Sequence, residues 1–532
     1  MLMTDAMNSK KLGINCCAFC GVVASNKCAA CSLVVYCSKE HQKAHWNKHK
    51  KECISYEVQN NSKLCNFLIA KRNINQFDVI IQEEPLVLGP KFPTLEPICV
   101  KCLQYLKRSE STVESLCEQC LWPICGFGCK ISINPHIHNE ECKILQTGAD
   151  KIAKTNNYMY EILTPLKCLL LQFNDNKWSR LMEMESHMKH RGPDSQVYEE
   201  INSICNYLRT NYLSEIKIKA SSDLIHKICG ILDVNALDVH VAGMELTALY
   251  PNVSKMEHNC LPNTSITFDK FGHISVSAAR KIAKNEHLST MYTNALWGTR
   301  ERRAHLLSTK YFECHCDRCS DATELGTNFS TVICNVKNFC KGNLTPKYPL
   351  DDSSEWECDR CPTTVSSNKI DAILMDLNHT AEKALTNPSI NSLENALSKL
   401  KTHLHSNHYL CFNLKHTLIQ LYGHSMGYKH SMLTEDLLKR KLKLCRDMFN
   451  VLNILDPLYI RLNIYTSVVL YELHLVLLET AARISENKAE SKGMCNEAKI
   501  LLSKALDMLK NEPEGSPGFK LLQAYKPNKT NH

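Results

Sequence analysis

The chain has 532 residues, 29 cysteines, 23 histidines and a formal net charge of +8. The first residues, MLMTDAMNSKKLGIN, carry no apolar segment ahead of a cleavage site, so we expect a protein that is not exported. In a reducing compartment, dense cysteine indicates metal binding or catalysis rather than disulfides. No apolar run reaches the roughly 18–20 residues that cross a bilayer, so we expect no membrane association.

The first group of potential metal ligands occupies residues 17–53. It has the order C-x2-C, C-x2-C, C-x5-C, followed by two histidines and a last cysteine. Eight such residues are enough for two tetrahedral zinc ions, and a disulfide framework would not need histidine at fixed offsets. Interleaved assignment predicts one site of Cys17, Cys20, Cys37 and His41, and a second of Cys28, Cys31, His49 and Cys53.

Short β-branched segments between turn residues predict strands in two separate stretches, near residues 65–90 and 232–292. Residues 148–228 carry amphipathic stretches that predict helices. We therefore expect a β-domain that is interrupted by a long insertion.

A second group of cysteines and histidines lies within that insertion. Its order again fits two interleaved zinc sites. The predicted sets are Cys99, Cys102, Cys125 and Cys129, and Cys117, Cys120, His138 and Cys142. His136 competes with His138 for the histidine position, but the H-x3-C spacing of His138 repeats the end of the first group.

Two more sites complete a predicted total of six zinc ions. The segment YFECHCDRC supplies Cys314, Cys316 and Cys319, and the isolated Cys260 in EHNCLPN is the predicted fourth ligand. A pattern resembling a zinc ribbon follows, with Cys334, Cys340, Cys358 and Cys361. Since zinc-bound cysteine is thiolate, six zinc ions would bring the net charge to about −1. The formal positive charge is therefore poor evidence for nucleic-acid binding.

Residues 366–532 have a different composition, with only three cysteines. Apolar residues recur there at i, i+3, i+4 and i+7, which predicts amphipathic helices packed in series. We expect a helical scaffold with a surface that could bind a partner protein.

Four segments, EEPLVLGP, ALYPNVSKMEHNCLPN, MYTNALWGT and KYFECHCDRC, resemble the SET domain and its cysteine-rich tail. The YCS…HW…HK…C ending of the first group resembles the MYND zinc finger, with His41 where that finger usually has cysteine. Together these motifs are similar to the SMYD family of protein lysine methyltransferases. The second finger and the ribbon resemble an arthropod-specific, SmydA-like branch of that family.

The resemblance implies an α+β multidomain chain with a split SET β-domain and a C-terminal TPR-like α-helical domain. The expected parts are a MYND finger at 17–53, the first SET segment at 60–96, an inserted MYND-like zinc module at 97–143, a helical SET insertion at 144–230, the SET core at 231–300, a post-SET zinc site at 301–325, a ribbon-like module at 330–363 and the helical domain at 366–532.

The activity implied by the resemblance is methyl transfer from S-adenosylmethionine to a lysine ε-amine of a histone or another protein. Such catalysis is mostly alignment and desolvation, and the amine must be neutral to attack. Tyr292 matches the active-site tyrosine, although a structural strand tyrosine is the other interpretation. The residues that match the family's cofactor contacts are Asn66, Asn235, Ser254, Glu257, His258, Tyr292 and Phe312.

Four features of the sequence depart from the family pattern. The G-x-G cofactor loop reads Cys65-Asn66-Phe67, and glycine permits a positive φ and a close approach that phenylalanine does not easily permit. Glu257 stands for the asparagine of NHSC, and Met291 for the serine before the tyrosine. Lys310 stands at the lysine-channel tyrosine, with Tyr311 adjacent.

These departures leave an alternative function open, a catalytically weak adaptor that recruits partners in transcriptional repression through its finger and helices. By resemblance, the MYND finger implies binding of proline-rich peptides. Direct nucleic-acid binding is disfavoured, because no finger helix has a base-reading layout. We expect the protein in the cytoplasm and the nucleus.

Overall fold

The computed structural model describes residues 16–50, 53–61, 65–91, 97–106, 115–126, 138–155, 158–213, 219–241, 244–335, 340–484, 488–510, 512 and 516–526. Its chain divides into two units. Unit 1 combines the residues up to 257 with 263–289 and 513–516, and unit 2 combines 258–262 with 290–512 and 517 onward. The finer division into eight parts stays a prediction.

Unit 1 begins with a small ribbon and a polar helix. Strands β1 (Asn26–Lys27) and β2 (Val35–Tyr36) pair antiparallel, and α1 (Lys39–His49) follows. The Ser38 hydroxyl caps α1 by accepting a hydrogen bond from the backbone N–H of His41 at 3.3 Å. Only His49 of this 11-residue helix is buried. Because an isolated helix of that length is marginal in water, α1 depends on what its histidines contact.

Four strands follow before the insertion. The hairpin of β3 (Tyr56–Asn61) and β4 (Cys65–Ala70) is antiparallel and places Asn60 opposite Asn66. Two shorter strands come next, β5 (Val79–Glu83) and β6 (Val87–Pro90).

The insertion is a strand pair followed by helices, as the amphipathic pattern predicts. Its elements are β7 (Ser115–Leu116), β8 (Pro123–Ile124), α2 (Asn139–Leu145), α3 (Ala149–Thr155), α4 (Leu163–Leu170), α5 (Asp175–Met182), α6 (Gln196–Leu208) and α7 (Ser222–Asn235). Trp122 is fully buried, and its indole N–H donates to the Tyr212 hydroxyl at 3.1 Å. This aromatic residue fixes the cysteine-rich strand pair on the helices, with its one polar atom satisfied.

The strands after the insertion complete the sheets begun before it. They are β9 (Leu237–Val241), β10 (Met244–Leu249), β11 (Glu257–His258), β12 (Thr264–Phe268) and β13 (Ile274–Ala278). Strand β10 pairs with β6 and β9, and β13 pairs with β5 and β12. Every second residue of β13 is buried, which is the strand period. The split β-domain therefore closes as its strand pattern predicts.

Unit 2 begins with short elements. These are β14 (Ser289–Thr290), whose first residue lies in unit 1, α8 (Thr299–Lys310), α9 (Asp317–Ser320), β15 (Val332–Ile333), β16 (Asn343–Pro346), β17 (Trp356–Cys358) and β18 (Thr364–Val365). The last four strands form one antiparallel sheet in chain order.

The rest of unit 2 is helical. Its helices are α10 (Ser367–Thr386), α11 (Ile390–Lys401), α12 (Tyr409–His424), α13 (Glu435–Leu455), α14 (Asn463–Arg483), α15 (Lys488–Leu509) and α16 (Pro517–Tyr525). The buried residues of α13 recur every three or four positions and belong to a large apolar core. That spacing is the helical period read from the sequence.

Helix α14 differs from the expectation that no segment is long and apolar enough to cross a bilayer. An 18-residue window of it has a mean hydropathy of 1.3. However, 61% of that window is buried inside the protein, which is the pattern of a core helix. The hydrophobicity of α14 is explained by its packing in the helical core.

Candidate functional site

In the described part of the chain, at least five groups of cysteine and histidine side chains have their ligand atoms within 4.8 Å of one another. The groups are Cys17, Cys20, Cys37 and His41; Cys28, Cys31, His49 and Cys53; Cys117, Cys120, His138 and Cys142; Cys260, Cys314, Cys316 and Cys319; and Cys334, Cys340, Cys358 and Cys361. Each coincides with a set given in the sequence analysis, the first three by interleaved assignment, the fourth by adding Cys260 to three neighbouring cysteines, and the fifth by its ribbon-like pattern.

Distances within these groups fit zinc rather than disulfides. Thiolates about 2.3 Å from a tetrahedral zinc ion stand about 3.8 Å apart, whereas bonded disulfide sulfurs are about 2.05 Å apart. The observed Sγ–Sγ distances are 3.6 Å for Cys20–Cys37, 3.7 Å for Cys28–Cys53, 3.8 Å for Cys117–Cys142, 3.6 Å for Cys260–Cys319 and 3.8 Å for Cys334–Cys361. The chain therefore holds several tetrahedral donor sets with the right chemistry and spacing for Zn²⁺.

The two histidines of α1 serve separate sites in the first finger. His41 Nδ1 lies 2.9 Å from Cys37 Sγ, and His49 Nε2 lies 3.5 Å from Cys31 Sγ. Each approaches its group through a different ring nitrogen, and the helix fixes the spacing between them. The metals and the helix thus support each other.

The thiols of the first site cannot all ionise without a cation. Burial opposes ionisation of Cys17, but hydrogen bonds from backbone groups, that of Cys37 foremost, lower the pKa of its thiol to about 5. Burial and the neighbouring Cys20 and Cys17 raise the pKa of Cys37 to about 11. Crowded thiolates repel one another, and a bound Zn²⁺ removes that repulsion.

The second finger is described in part. Cys117, Cys120, His138 and Cys142 are all buried, with His138 Nε2 3.3 Å from Cys120 Sγ. Of the other predicted set, Cys102 Sγ lies 3.8 Å from Cys125 Sγ, and Cys99 is buried. The predicted ligand Cys129 and the competing His136 lie outside the described residues.

The ribbon site has a feature that the sequence analysis missed. A Cβ atom at Gly342 would lie 2.6 Å from Cys358 Sγ, closer than real side-chain contacts allow. Glycine is therefore required there by the close approach of the backbone to a ligand sulfur. The sequence feature that could have indicated this close approach is the single glycine two residues after Cys340.

The Cys260 group joins distant parts of the chain. Cys314 and Cys316 lie just before α9 and Cys319 lies within it, and Cys260 precedes them by 54 residues or more. The guanidinium of Arg302, on α8, donates to Cys260 Sγ at 3.3 Å and to Cys319 Sγ at 3.5 Å. Arg302 is fully buried, so its positive charge offsets the excess negative charge of four thiolates on one divalent ion.

A buried acidic residue balances the arginines beside this site. Glu324 contacts Arg302 and Arg318, each at 2.8 Å, and all three side chains are at most 1% exposed. Burial opposes the charge on Glu324, but Arg302 and Arg318 outweigh it and lower the pKa of Glu324 to about 2. Sequence analysis did not identify this cluster, because charged residues ordinarily face solvent.

Three predicted site residues of unit 2 gather next to the Cys260 group. His258 Nδ1 accepts a hydrogen bond from the backbone N–H of Tyr292 at 3.0 Å, and His258 Nε2 lies 3.3 Å from Cys260 Sγ. The ring of Tyr292 meets that of Phe312 edge-on at 6.4 Å, and His258 lies 6.0 Å from Phe312. The zinc-ligand turn thus orients the imidazole that fixes the backbone of Tyr292.

The other predicted cofactor residues belong to unit 1, and their side chains make local contacts. Asn66 is exposed on β4 and accepts a hydrogen bond from Asn60 at 3.0 Å. Asn235 ends α7 and donates to the carbonyls of Glu185 and Ile231 at 2.7 and 2.8 Å. Ser254 donates to the Pro251 carbonyl at 3.1 Å.

Two departures from the family pattern meet on one histidine in unit 1. The ring of Phe67 stacks on His287 at 4.8 Å with an interplanar angle of 14°. The Glu257 carboxylate contacts Nδ1 of the same histidine at 2.5 Å. Cys65 takes a φ of +55°, the backbone conformation that glycine adopts most easily. Sequence analysis did not single out His287, since it belongs to no motif.

Comparison with known proteins gives one family model and several relatives. The MYND finger model matches residues 17–53. The "SET domain-containing protein SmydA-8, isoform A" of Drosophila melanogaster is 27% identical over 305 residues, which are 55% of this chain and 62% of that protein. The "Histone-lysine N-methyltransferase ASHR1" of Arabidopsis thaliana is 24% identical and covers 74% of this chain and 80% of its own.

The human "Histone-lysine N-methyltransferase SMYD3" is 22% identical over 48% of this chain and 59% of that protein. The chain thus spans about three fifths of the length of the Drosophila relative. Among solved structures, "Structure of Rubisco LSMT bound to AdoMet" is 11% identical and covers 91% of this chain and 99% of that chain, with a TM-score of 0.29, too low to carry an argument. With the MYND match and the zinc-type groups in place, these relatives confirm the resemblance of the chain to SET- and MYND-domain proteins of the SMYD family, and the Drosophila relative fits the arthropod branch.

Proposed function

We propose that the protein is an S-adenosylmethionine-dependent protein lysine N-methyltransferase. The observation that carries the proposal is the cluster of His258, Tyr292 and Phe312 beside the Cys260 group, where the Tyr292 N–H is held by His258 at 3.0 Å. Two relatives that the chain resembles are named histone-lysine N-methyltransferases, which supports the same class of reaction.

When bound, S-adenosylmethionine supplies a sulfonium methyl group that is already activated for transfer. The task left to the protein is to orient a neutral lysine amine and to exclude water. In the proposed site the Tyr292 hydroxyl orients the amine, and Phe312 provides an apolar ring near the tyrosine. By the family resemblance alone, Asn66, Asn235, Ser254 and Glu257 stay predicted cofactor residues. An apolar channel favours the neutral amine, because it penalises the charged ammonium form.

A second candidate function is a weak or inactive adaptor that recruits proteins through the MYND finger and the helical region. The contacts of Phe67 and Glu257 with His287 support it. Both residues stand where the family pattern has other residues of the cofactor site, and here both contact the same histidine. A phenylalanine held by stacking is less able to yield to a cofactor than a glycine.

The test is methyl transfer from radiolabelled S-adenosylmethionine to histones and to cell-lysate proteins, together with calorimetric titration of the cofactor. We expect cofactor binding and transfer by the wild-type protein, and a loss of transfer of roughly a hundredfold in Tyr292→Phe, the scale of a positioned acid–base group. Tyr348→Phe is the matched control, because Tyr348 is 61% exposed in the ribbon. Absence of cofactor binding would contradict the enzyme, and binding without transfer would favour the adaptor.

A further inference from the structure

Arg461 connects the helical region to the residues around Tyr292. It lies in the short connection between α13 and α14, and its side chain is 14% exposed. One nitrogen of its guanidinium, Nη1, donates to the carbonyl of the predicted zinc ligand Cys260 at 2.8 Å. The same nitrogen contacts Sδ of Met291, the residue before Tyr292.

The other side of the guanidinium is anchored in the helical region. Nη2 donates to the carbonyl of Leu455, the last residue of α13, at 2.8 Å, and lies 3.8 Å from the carboxylate of Asp456. A carbonyl at a helix C-terminus has no partner within the helix, so an arginine that donates to it also stabilises the helix end. The planar guanidinium can serve both sides at once, which a lysine ammonium cannot.

The connection that carries Arg461 is itself rigidly held. Asp456 is 2% exposed, and its Oδ2 accepts the backbone N–H groups of Arg461 and Leu462 at 2.9 and 2.8 Å. Burial lowers the pKa of Arg461 to about 10, and Asp456 opposes that shift. Because the Asp456 carboxylate accepts two backbone N–H groups of the connection, the Arg461 side chain is held toward Cys260 and Met291.

These contacts close a ring around the tyrosine backbone. Arg461 reaches Cys260 and Met291; Cys260 Sγ lies 3.3 Å from His258; and His258 accepts the Tyr292 N–H. We propose that Arg461 is a positioning residue of the methyl-transfer site, which sets the place of the Met291–Tyr292 segment relative to the zinc-ligand turn. This inference rests on the proposed function and extends it, because it makes the helical region part of the machinery that aligns Tyr292.

A merely structural arginine would cap α13 and affect only the yield of folded protein. A positioning arginine changes the rate of transfer per folded molecule. The variant Arg461→Lys keeps the charge and can retain the Leu455 contact, but it cannot bind both sides. Arg446→Lys is the matched control, because Arg446 lies on α13 with its side chain 49% exposed.

The experiment combines kinetics with a signal that needs no activity. Full-length protein with ¹³C-methyl methionine is prepared as wild type, Arg461→Lys and Arg446→Lys, and Met291→Leu assigns the Met291 resonance. We expect Arg461→Lys to shift the Met291 methyl resonance and to lower kcat about tenfold per zinc-loaded molecule, with KM for the lysine substrate and cofactor affinity changed less than twofold. Arg446→Lys should leave all four quantities unchanged.

Two results would overturn the inference. One is an unchanged Met291 resonance in Arg461→Lys, and the other is an unchanged kcat in an active protein. If the wild type transfers no methyl group, the proposed function fails, and the resonance alone then decides whether Arg461 positions the segment. Should Arg461→Lys fail to fold, Asp456→Asn weakens the anchor while keeping an acceptor oxygen, and a smaller shift of the same resonance is expected.

Discussion

Between residues 16 and 361 most described cysteines meet in tetrahedral groups, whereas Cys411 and Cys445 of the helical region stand among apolar side chains, as Cys168, Cys205 and Cys229 of the insertion also do. Burial raises the pKa of Cys411 to about 11 and that of Cys445 to about 12. Cysteine is thus a predicted metal ligand where short elements gather it in groups of four, and a small apolar residue of the core where helices bury it singly.

The two parts also differ in what holds them. The first part contains strands of two residues, such as β1, β7 and β15, and a polar helix with one buried residue. Such elements bury too little apolar surface to be stable alone. The helical region buries a continuous core along helices of up to 22 residues. We infer that metal ions stabilise these short cysteine-rich elements, whereas apolar packing stabilises the helical region and the core of the split β-domain with its helical insertion.

The largest effect is expected from loss of a zinc ligand that joins distant segments. Cys260→Ser should lower the bound zinc by one ion and the free energy of unfolding by about 5 kcal/mol or more, since structural zinc contributes roughly 10–16 kcal/mol in finger peptides. Zinc content by plasma mass spectrometry and denaturant unfolding measure both. Cys411→Ser is the control: it should keep its zinc and lose about 1–3 kcal/mol. Equal zinc loss in both variants would contradict the distinction between Cys260 as a zinc ligand and Cys411 as a core residue.

A smaller effect is expected from Arg302→Met, which leaves Cys260 in place. It removes one partner of Glu324 in a fully buried cluster, and breaking such a pair costs about 3–5 kcal/mol. Arg446→Met is the control, because Arg446 and its partner Glu497 are 49% and 43% exposed and a surface pair contributes about 0–1 kcal/mol. Urea unfolding compares the two variants, and similar losses would show that the buried charges are not important.

In the helical region, the prediction is loss of stability without loss of metal. Leu444 is 1% exposed on α13, and truncation of such a leucine to alanine costs about 2–5 kcal/mol. Leu444→Ala should lower the unfolding midpoint of the helices while zinc content stays at the wild-type value. Zinc release by this variant would mean that the two parts share one source of stability.

The smallest effect is a pH dependence of the free energy of unfolding that comes from one buried lysine of the helical region. Burial lowers the pKa of Lys415 to about 8, against roughly 10.4 in an unfolded chain. The unfolded state therefore binds more protons between these values, so this lysine makes the free energy of unfolding rise from about pH 8 to about pH 10.4. Comparison of Lys415→Met with wild type by urea unfolding across that range should show the rise missing. Lys399→Met, at an exposed position, should retain it.

Much of the zinc framework could be predicted from the sequence, because ligand spacing is a local signal. Cys260 has no other predicted ligand near it in the sequence. It was predicted as a ligand because Cys314, Cys316 and Cys319 are one residue short of a tetrahedral set. The helices of the C-terminal region follow from the period of their apolar residues, as in α13. The split β-domain follows from strand composition alone.

The contacts around the candidate site could not be predicted in the same way. Arg461, His287 and Glu324 act through partners far along the chain, and arginine, histidine and glutamate at single positions ordinarily face solvent. The stacking of Phe67 on His287 depends on the hairpin register, which the sequence does not state. Only the tertiary structure shows which residues these side chains contact.

Hydrogen exchange after zinc removal tests the central claim most directly. The full-length chain is treated with a strong chelator, and amide exchange is followed by mass spectrometry beside an untreated sample. We predict rapid loss of protection in residues 16–50, 115–126 and 314–335, while α13 and α15 keep theirs. Loss of protection in α13 and α15 at the same rate as in the cysteine groups would contradict the account.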